Sequence, residues 1–306
     1  MNRRKFVKAG LASSAGMGLS LGSYSIDRKS QPTVSFKLKY APHIGMFENS
    51  AGKDPINQIK FMADQGFSAL EDNSLSAREV SLQEKIGKAL IDLNMEMGVF
   101  VGNWQIRRGD GLASGDPEVR SAFLKEIESS IQVARRVRAT WMTIVLGNRH
   151  HRLEPDYQTA NIVETLKQAS SILEPHNLVM VIEPLNHLHN HPDVFLSKVP
   201  HAYLICKAVN SPACKILFDM YHQQITEGNI IQNIDYAWDE TGYFQIGDVP
   251  GRKEPTTGEM NYGNIFKHIH HKGYTGILGM EHGNYQPGKE GEVSLIEAYR
   301  QVDDFE

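Results

Sequence analysis

From residue 36 onward, short apolar runs alternate with longer stretches in which apolar residues recur every three or four positions. The short runs are Phe36–Ala41, Ala69–Glu71, Glu96–Val101, Trp141–Leu146, Val179–Glu183, Lys215–Asp219, Tyr243–Ile246 and Gly276–Glu281. Their β-branched and aromatic content predicts strands, as do the Gly, Pro, Asn or His that follow several of them. The longer stretches predict helices. Asp54–Gln65 carries Ile56, Ile59, Phe61, Met62 and Ala63, and Ser81–Leu93 carries Leu82, Ile86, Ala89, Leu90 and Leu93. Pro117–Arg136 opens with Asp116 in the capping position and Pro117 in the first turn, where a missing N–H costs nothing. Tyr157–Glu174, Ser197–Val209, Asn229–Trp238, Asn264–Lys272 and Val293–Phe305 complete the alternation.

Eight strand-then-helix units in about 270 residues predict an α/β fold, a (β/α)8 TIM barrel as a single domain over residues 34–306. An open doubly wound sheet is the alternative, but the first strand-to-helix turn has no G-x-G-x-x-G fingerprint. No internal repeat beyond the βα rhythm and no low-complexity segment interrupts the pattern.

Composition narrows the function. The 306 residues are 41% hydrophobic and 22% charged, enough to bury a sizeable core. The net charge of −4, without a Lys/Arg-rich run outside the N-terminus, disfavours a nucleic-acid partner, which requires a concentrated positive face. The two cysteines, Cys206 and Cys214, are too few for a disulfide scaffold. No apolar run reaches the roughly 18–20 residues that span a bilayer. The sequence allows a homo-oligomer.

Residues 1–30 read as an export signal and linker. Arg3-Arg4 precede a Gly/Ala/Ser-rich, modestly apolar stretch to Leu21, which resembles a twin-arginine signal. An ordinary helix is disfavoured there by Gly10, Gly16, Gly18 and Gly22. Cleavage between Gly18 and Ser25 is expected; after Ser25 it would remove four basic residues and no acid, taking the net charge from −4 to −8. The expected location is therefore periplasmic, with no membrane attachment after signal removal.

Candidate chemistry lies at the strand exits, where barrels carry function. Glu183, Asp219 and Glu281 each follow an apolar run directly, and Gln245 sits between Phe244 and Ile246. Ionised carboxylates at an apolar barrel mouth are costly unless a cation neutralises them. Three carboxylates and an amide oxygen form a hard, all-oxygen set suited to Mg2+ or Mn2+. The structural alternative is that each acid caps the next helix or pairs with a nearby cation.

Several motifs resemble the hydroxypyruvate isomerase family, within the xylose-isomerase-like TIM barrels. They are Glu183-Pro184-Leu185-Asn186, Phe218-Asp219-Met220-Tyr221-His222-Gln223, Gly279-Met280-Glu281 and the long run Gln245–Tyr262. The resemblance covers Lys37 to the C-terminus and is strongest from Val179 on. It implies a divalent metal on Glu183, Asp219, Gln245 and Glu281, with Glu183 and Glu281 as the acid/base pair. Related ketose 3-epimerases usually carry His where Gln245 stands, and often a second acid where this chain has His189.

The implied reaction interconverts a small 2-oxo-3-hydroxy acid, hydroxypyruvate to tartronate semialdehyde, or a related sugar, through an enediolate. A ketose 3-epimerase or a keto-sugar or keto-inositol dehydratase on the same metal site is the alternative; a silent sugar-binding barrel and an apurinic endonuclease are more distant. His222, three residues after Asp219 on the loop above the site, is expected to donate to the developing oxyanion. Arg252 is the candidate grip for a substrate carboxylate, its alternative being a surface pair with Glu254 or Glu259. Trp104 offers an aromatic wall, with Arg107 or Arg108 as a second positive charge. Asn186 and His189 are expected to face the substrate, and His43 to line the pocket without a catalytic role. Alternation puts His187, His189 and His191 on one side of an extended loop, although a plain polar loop is the favoured reading.

Overall fold

The computed structural model describes residues 35–104 and 111–306. The export-signal reading of residues 1–30, and the positions of Arg107 and Arg108, lie outside the described residues. The strands are β1 (Lys39–Ala41), β2 (Ala69–Leu70), β3 (Glu96–Met97), β4 (Trp141–Ile144), β5 (Val179–Ile182), β6 (Cys214–Asp219), β7 (Thr241–Gln245) and β8 (Ile277–Gly279). All their pairings are parallel. Six of them form one sheet in the order β1-β8-β7-β6-β5-β4, and β2 pairs with β3. Two parallel bridges, His43 with Glu71 and Val101 with Thr143, join the two sheets into a closed ring. The expected barrel is therefore observed.

The helices are α1 (Glu48–Ala51), α2 (Pro55–Asp64), α3 (Val80–Asp92), α4 (Pro117–Val137), α5 (Pro155–Leu173), α6 (Val199–Val209), α7 (Met220–Thr226), α8 (Ile230–Ala237), α9 (Tyr262–His271) and α10 (Gly288–Val302). Asp116 caps α4 as its position predicts, its Oδ1 accepting from Glu118 N at 2.8 Å. Short α1 and α7 were not legible as helices. Seven-residue α7 follows β6 without a loop, because Asp219 Oδ1 accepts from the N–H groups of Tyr221 and His222 and so caps it. Among the described residues no helix is long and apolar enough to cross a membrane.

The period of two along each strand sorts side chains into two cores. Met180 and Ile182, Ile216 and Phe218, Phe244 and Leu278 point outward and pack in the large core that the helices share. Val181, Leu217, Tyr243, Ile277, Ala41, Ala69 and Val99 fill the barrel interior. Two residues further along, this interior parity reaches Glu183, Asp219, Gln245, Glu71 and, past Gly279, Glu281. The site is thus the top layer of the barrel's own filling.

Asp303, just past α10, closes the barrel at β1. Its carboxylate accepts from Lys37 N at 2.6 Å, Leu38 N at 3.3 Å and the buried Tyr40 hydroxyl at 2.9 Å. Asp303→Ala strands these donors, and a loss of about 3 kcal/mol in unfolding free energy is expected from denaturant titration. A loss within experimental error would mean the C-terminal segment does not brace β1.

Candidate active site

A cavity of about 430 Å3 opens at the C-terminal end of the barrel. It is lined by Glu183, His222, Arg252 and Glu281 and walled by Trp104, Val101 and Leu185. A larger hollow outside the barrel shares Trp104 but gathers no comparable set of acids. The register of β6 against β7 pairs Asp219 with Gln245, and Gln245 pairs in turn with Gly279. Glu183 follows β5 directly, its N–H bonded to Ile144 O at 3.2 Å.

Four carboxylates, those of Glu71, Glu183, Asp219 and Glu281, share this end of the barrel with one arginine. Arg252 Nη2 lies 2.8 Å from Asp219 Oδ2 and 3.0 Å from Glu281 Oε2. The guanidinium also stacks over Tyr221, 4.7 Å from the ring centre. Glu254 and Glu259 bond elsewhere, to Tyr285 N and to Gln224, so the surface ion pair considered for Arg252 is not formed. Nor does its guanidinium stand free for a substrate carboxylate, as expected; it joins two of the acids instead.

The loop carrying Arg252 is built around Asp248. That carboxylate accepts from Val249 N and Gly258 N at 2.9 Å and from Met260 N at 3.1 Å. The chain doubles back as Asp248 N bonds Lys253 O and Arg252 N bonds Asp248 O, both at 2.8 Å. Arg252 takes a left-handed conformation with φ of 49°, which a non-glycine residue adopts at a cost offset by such surrounding bonds. This accounts physically for the long motif Gln245–Tyr262.

His222 lies on α7 rather than on a loop, and it is buried. Its Nδ1 faces the backbone N–H of Asn186 at 3.1 Å. A backbone N–H only donates, so Nδ1 accepts, and the neutral ring carries its proton on Nε2. Nε2 lies 3.6 Å from Asp219 Oδ2 and 3.9 Å from Glu183 Oε1. Burial pushes the His222 pKa down to about 4, against the raising pull of Asp219, so the ring is neutral near pH 7.

Asn186 is fully buried and organises the loop rather than facing the cavity. Its Oδ1 accepts from His189 N at 3.0 Å and Asn190 N at 3.2 Å. These bonds curl residues 187–190 into a turn, so the alternation assumed for an extended loop does not apply. His189 is consequently exposed and outside the cavity lining, whereas His191 lines it, its ring 5.6 Å from that of His222. Trp104 lines the cavity as expected. His43 bonds the backbone of Ile44 and His282 and is absent from the lining.

Sequence reasoning missed Glu71, Asn73 and Thr143. Glu71 is 1% exposed, and its oxygens accept from Gln245 Nε2 at 2.8 Å and from the Tyr243 hydroxyl at 2.9 Å. Asn73 Nδ2 donates to Glu281 Oε1 at 2.9 Å. Glu71 ends an apolar run just as Glu183 does, so the same signal was present in β2.

These residues fit a hard divalent cation on two counts. Gln245 Oε1 is buried with no hydrogen-bond partner, and a buried acceptor is rarely left so. Burial, followed by repulsion from Glu281, holds the Glu71 and Glu183 carboxyls well above the usual range, and burial also raises that of Glu281, although Arg252 opposes this. One arginine does not compensate the cluster. Glu183, Asp219 and His222 offer ligand atoms within 4.8 Å of one another and could hold a metal ion. The tautomer makes His222 Nε2 a donor, which leaves the ligand role to the oxygens.

Comparison with known proteins gives the family. Residues 59–302 match the family model of the xylose isomerase-like TIM barrel. The chain is 30% identical over 202 residues to the hydroxypyruvate isomerase of Escherichia coli K12, covering 65% of this chain and 76% of that one. The chain belongs to the xylose isomerase-like TIM barrels, among the hydroxypyruvate isomerases. It is also 28% identical over 252 residues to the 2-oxo-tetronate isomerase of Cupriavidus necator, covering 81% of each chain. The crystal structure of an AP endonuclease, family 2, from Brucella melitensis superposes with a TM-score of 0.70 at 22% identity, over 83% of this chain and 96% of that one. At that identity it speaks for the fold alone.

A carboxyl whose pKa is raised on folding contributes stability below its unfolded value and loses it as pH rises through the folded one. Without metal, Glu71, Glu183 and Glu281 therefore destabilise the fold as they ionise. A divalent cation held by Glu183 and Glu281 would require the ionised form of those two, so its stabilisation would grow with pH. The rise in Tm on adding Mn2+ to chelator-treated protein is expected to be larger at about pH 8 than at about pH 5.5. An equal rise at both, by scanning calorimetry, would argue against carboxylate ligation.

Proposed function

We propose that the chain is a metal-dependent isomerase that converts a small 2-oxo-3-hydroxy acid, of the hydroxypyruvate type, into its aldehyde isomer through an enediolate. The observation that carries the reading is the unpartnered Gln245 Oε1, buried on the strand position paired with Asp219. With Glu183, Asp219 and Glu281 it completes an all-oxygen set for Mg2+ or Mn2+. The isomerase class rests on the relatives described above. When bound, the cation would acidify the C–H beside the substrate carbonyl and stabilise the enediolate.

The residues of the chain do the proton work. β5 and β8 lie three strands apart in the ring order, so Glu183 and Glu281 approach a substrate from separated positions. One takes the proton from C3 and the other returns one to C2, while the hydroxyl proton on O3 passes to O2. His222 Nε2–H is directed at the developing oxyanion, in the tautomer that Asn186 N–H imposes. Arg252, paired with Asp219 and Glu281, keeps a buried, unpartnered Nε as the donor it could offer an incoming carboxylate. The apolar wall of Val101, Val145 and Leu185 suits a short acid better than a long polyol.

Proton NMR in D2O with hydroxypyruvate and Mn2+ or Mg2+ is expected to give aldehyde formation with deuterium entering C2. Inversion at C3 of a ketose without turnover of hydroxypyruvate would instead favour an epimerase. Glu281→Gln is expected to keep the fold and lower kcat by about 10²–10⁴-fold. Near-wild-type turnover would remove Glu281 from the proton-transfer role.

We further propose export through the twin-arginine signal at Arg3-Arg4. In an exporting host, Arg3→Lys/Arg4→Lys is expected to retain the protein in the cytoplasm on cell fractionation. Unchanged periplasmic recovery would sink that reading.

A further inference from the structure

We infer that Glu71 is a positioning residue whose carboxylate holds the Gln245 side-chain amide with its oxygen turned toward the cation. This rests on the reading of Gln245 as a metal ligand. The two ends of a glutamine amide are nearly the same size, so packing alone does not decide which end faces which way. A carboxylate decides it, because its oxygens accept. Glu71 Oε1 lies 2.8 Å from Gln245 Nε2, while Oε2 is engaged by the Tyr243 hydroxyl at 2.9 Å. The amide nitrogen is thereby taken, and Oε1 of Gln245 is the buried end left without a partner.

The strands around Glu71 are built to admit this arrangement. A Cβ at Gly279 would stand 1.7 Å from Glu71 Oε2. A Cβ at Gly98 would stand 2.4 Å from the Tyr243 hydroxyl. The glycine in β8 and the one that follows β3 thus vacate the volume occupied by the two polar groups. Tyr243 and Gln245 share the interior parity of β7, so one carboxylate directly after β2 reaches both. Glu71 shares the buried layer of Asp219 and Gln245, and both its oxygens are already committed, one to Gln245 and one to Tyr243. Its part is to orient a ligand, as carboxylates behind metal-bound histidines do.

The test is Mn2+ titration of the chelator-treated full chain by calorimetry, with apo melting curves to certify the fold. Glu71→Met removes the acceptor and is expected to weaken Mn2+ binding by about 10- to 100-fold, whereas Glu71→Gln is expected to stay within about threefold of wild type. The introduced amide can offer its oxygen to Gln245 Nε2 and its nitrogen to the Tyr243 oxygen. If Glu71→Met does not fold, Glu71→Asp, one methylene too short to reach Gln245, is expected to show the same loss. Wild-type affinity in Glu71→Met or Glu71→Asp overturns the proposal. So does an equal loss in Glu71→Gln, which would make the effect one of charge rather than orientation. Failure of the wild-type chain to bind Mn2+ overturns the metal reading itself.

Discussion

The structure turns on gathering four carboxylates at the apolar mouth of a barrel. Their desolvation and mutual repulsion oppose folding, and the surrounding elements answer that cost in different ways. Asp219 spends one oxygen on capping α7 and presents the other to Arg252. Glu281 takes a hydrogen bond from Asn73 and an ion pair from the same guanidinium. Glu71 is satisfied by Tyr243 from the layer beneath and by Gln245 beside it. Glu183, with His222 as a distant neighbour, is left most dependent on a cation. Arrangements that are incomplete in this way are expected at functional sites, where stability gives way to chemistry.

The arginine and the histidine are each held by a device outside the cavity. Asp248 gathers three backbone N–H groups and so shapes the turn in which Arg252 takes its left-handed conformation. Asn186 curls the loop after β5, and its backbone N–H selects the tautomer of His222. Charge and tautomer in the cavity are therefore set by buried polar groups, Asp248 and Asn186, that lie outside its lining. Such groups rigidify a site because each broken bond would leave a buried donor or acceptor stranded.

The interior of the barrel and the site are one continuous packing. Val181, Leu217, Tyr243 and Ile277 fill the lower layers on the same parity that delivers Glu183, Asp219, Gln245 and Glu281 above them. A register slip of one residue in any of these strands would exchange a site residue for a member of the outer core. The extensive apolar packing between strands and helices thereby also fixes where the acids point.

Much of this was legible locally. The alternation of short apolar runs with helical periodicity specified eight βα units, Asp116-Pro117 announced the start of α4, and polar residues at the strand exits marked Glu183, Asp219, Gln245 and Glu281. These are properties of neighbours in the chain, governed by periods of 2 and 3.6 and by capping chemistry. What only the tertiary structure decided were the relations between distant segments. Glu71 carried the same strand-end signal as Glu183, yet its partners lie 172 and 174 residues away. His191 rather than His189 reaches the cavity because Asn186 bends the loop, and Arg252 meets Asp219 and Glu281 because barrel closure brings their strand ends together. Side-chain hydrogen bonds and ion pairs are satisfied by whatever the fold places within about 3 Å, and sequence spacing carries no record of that distance.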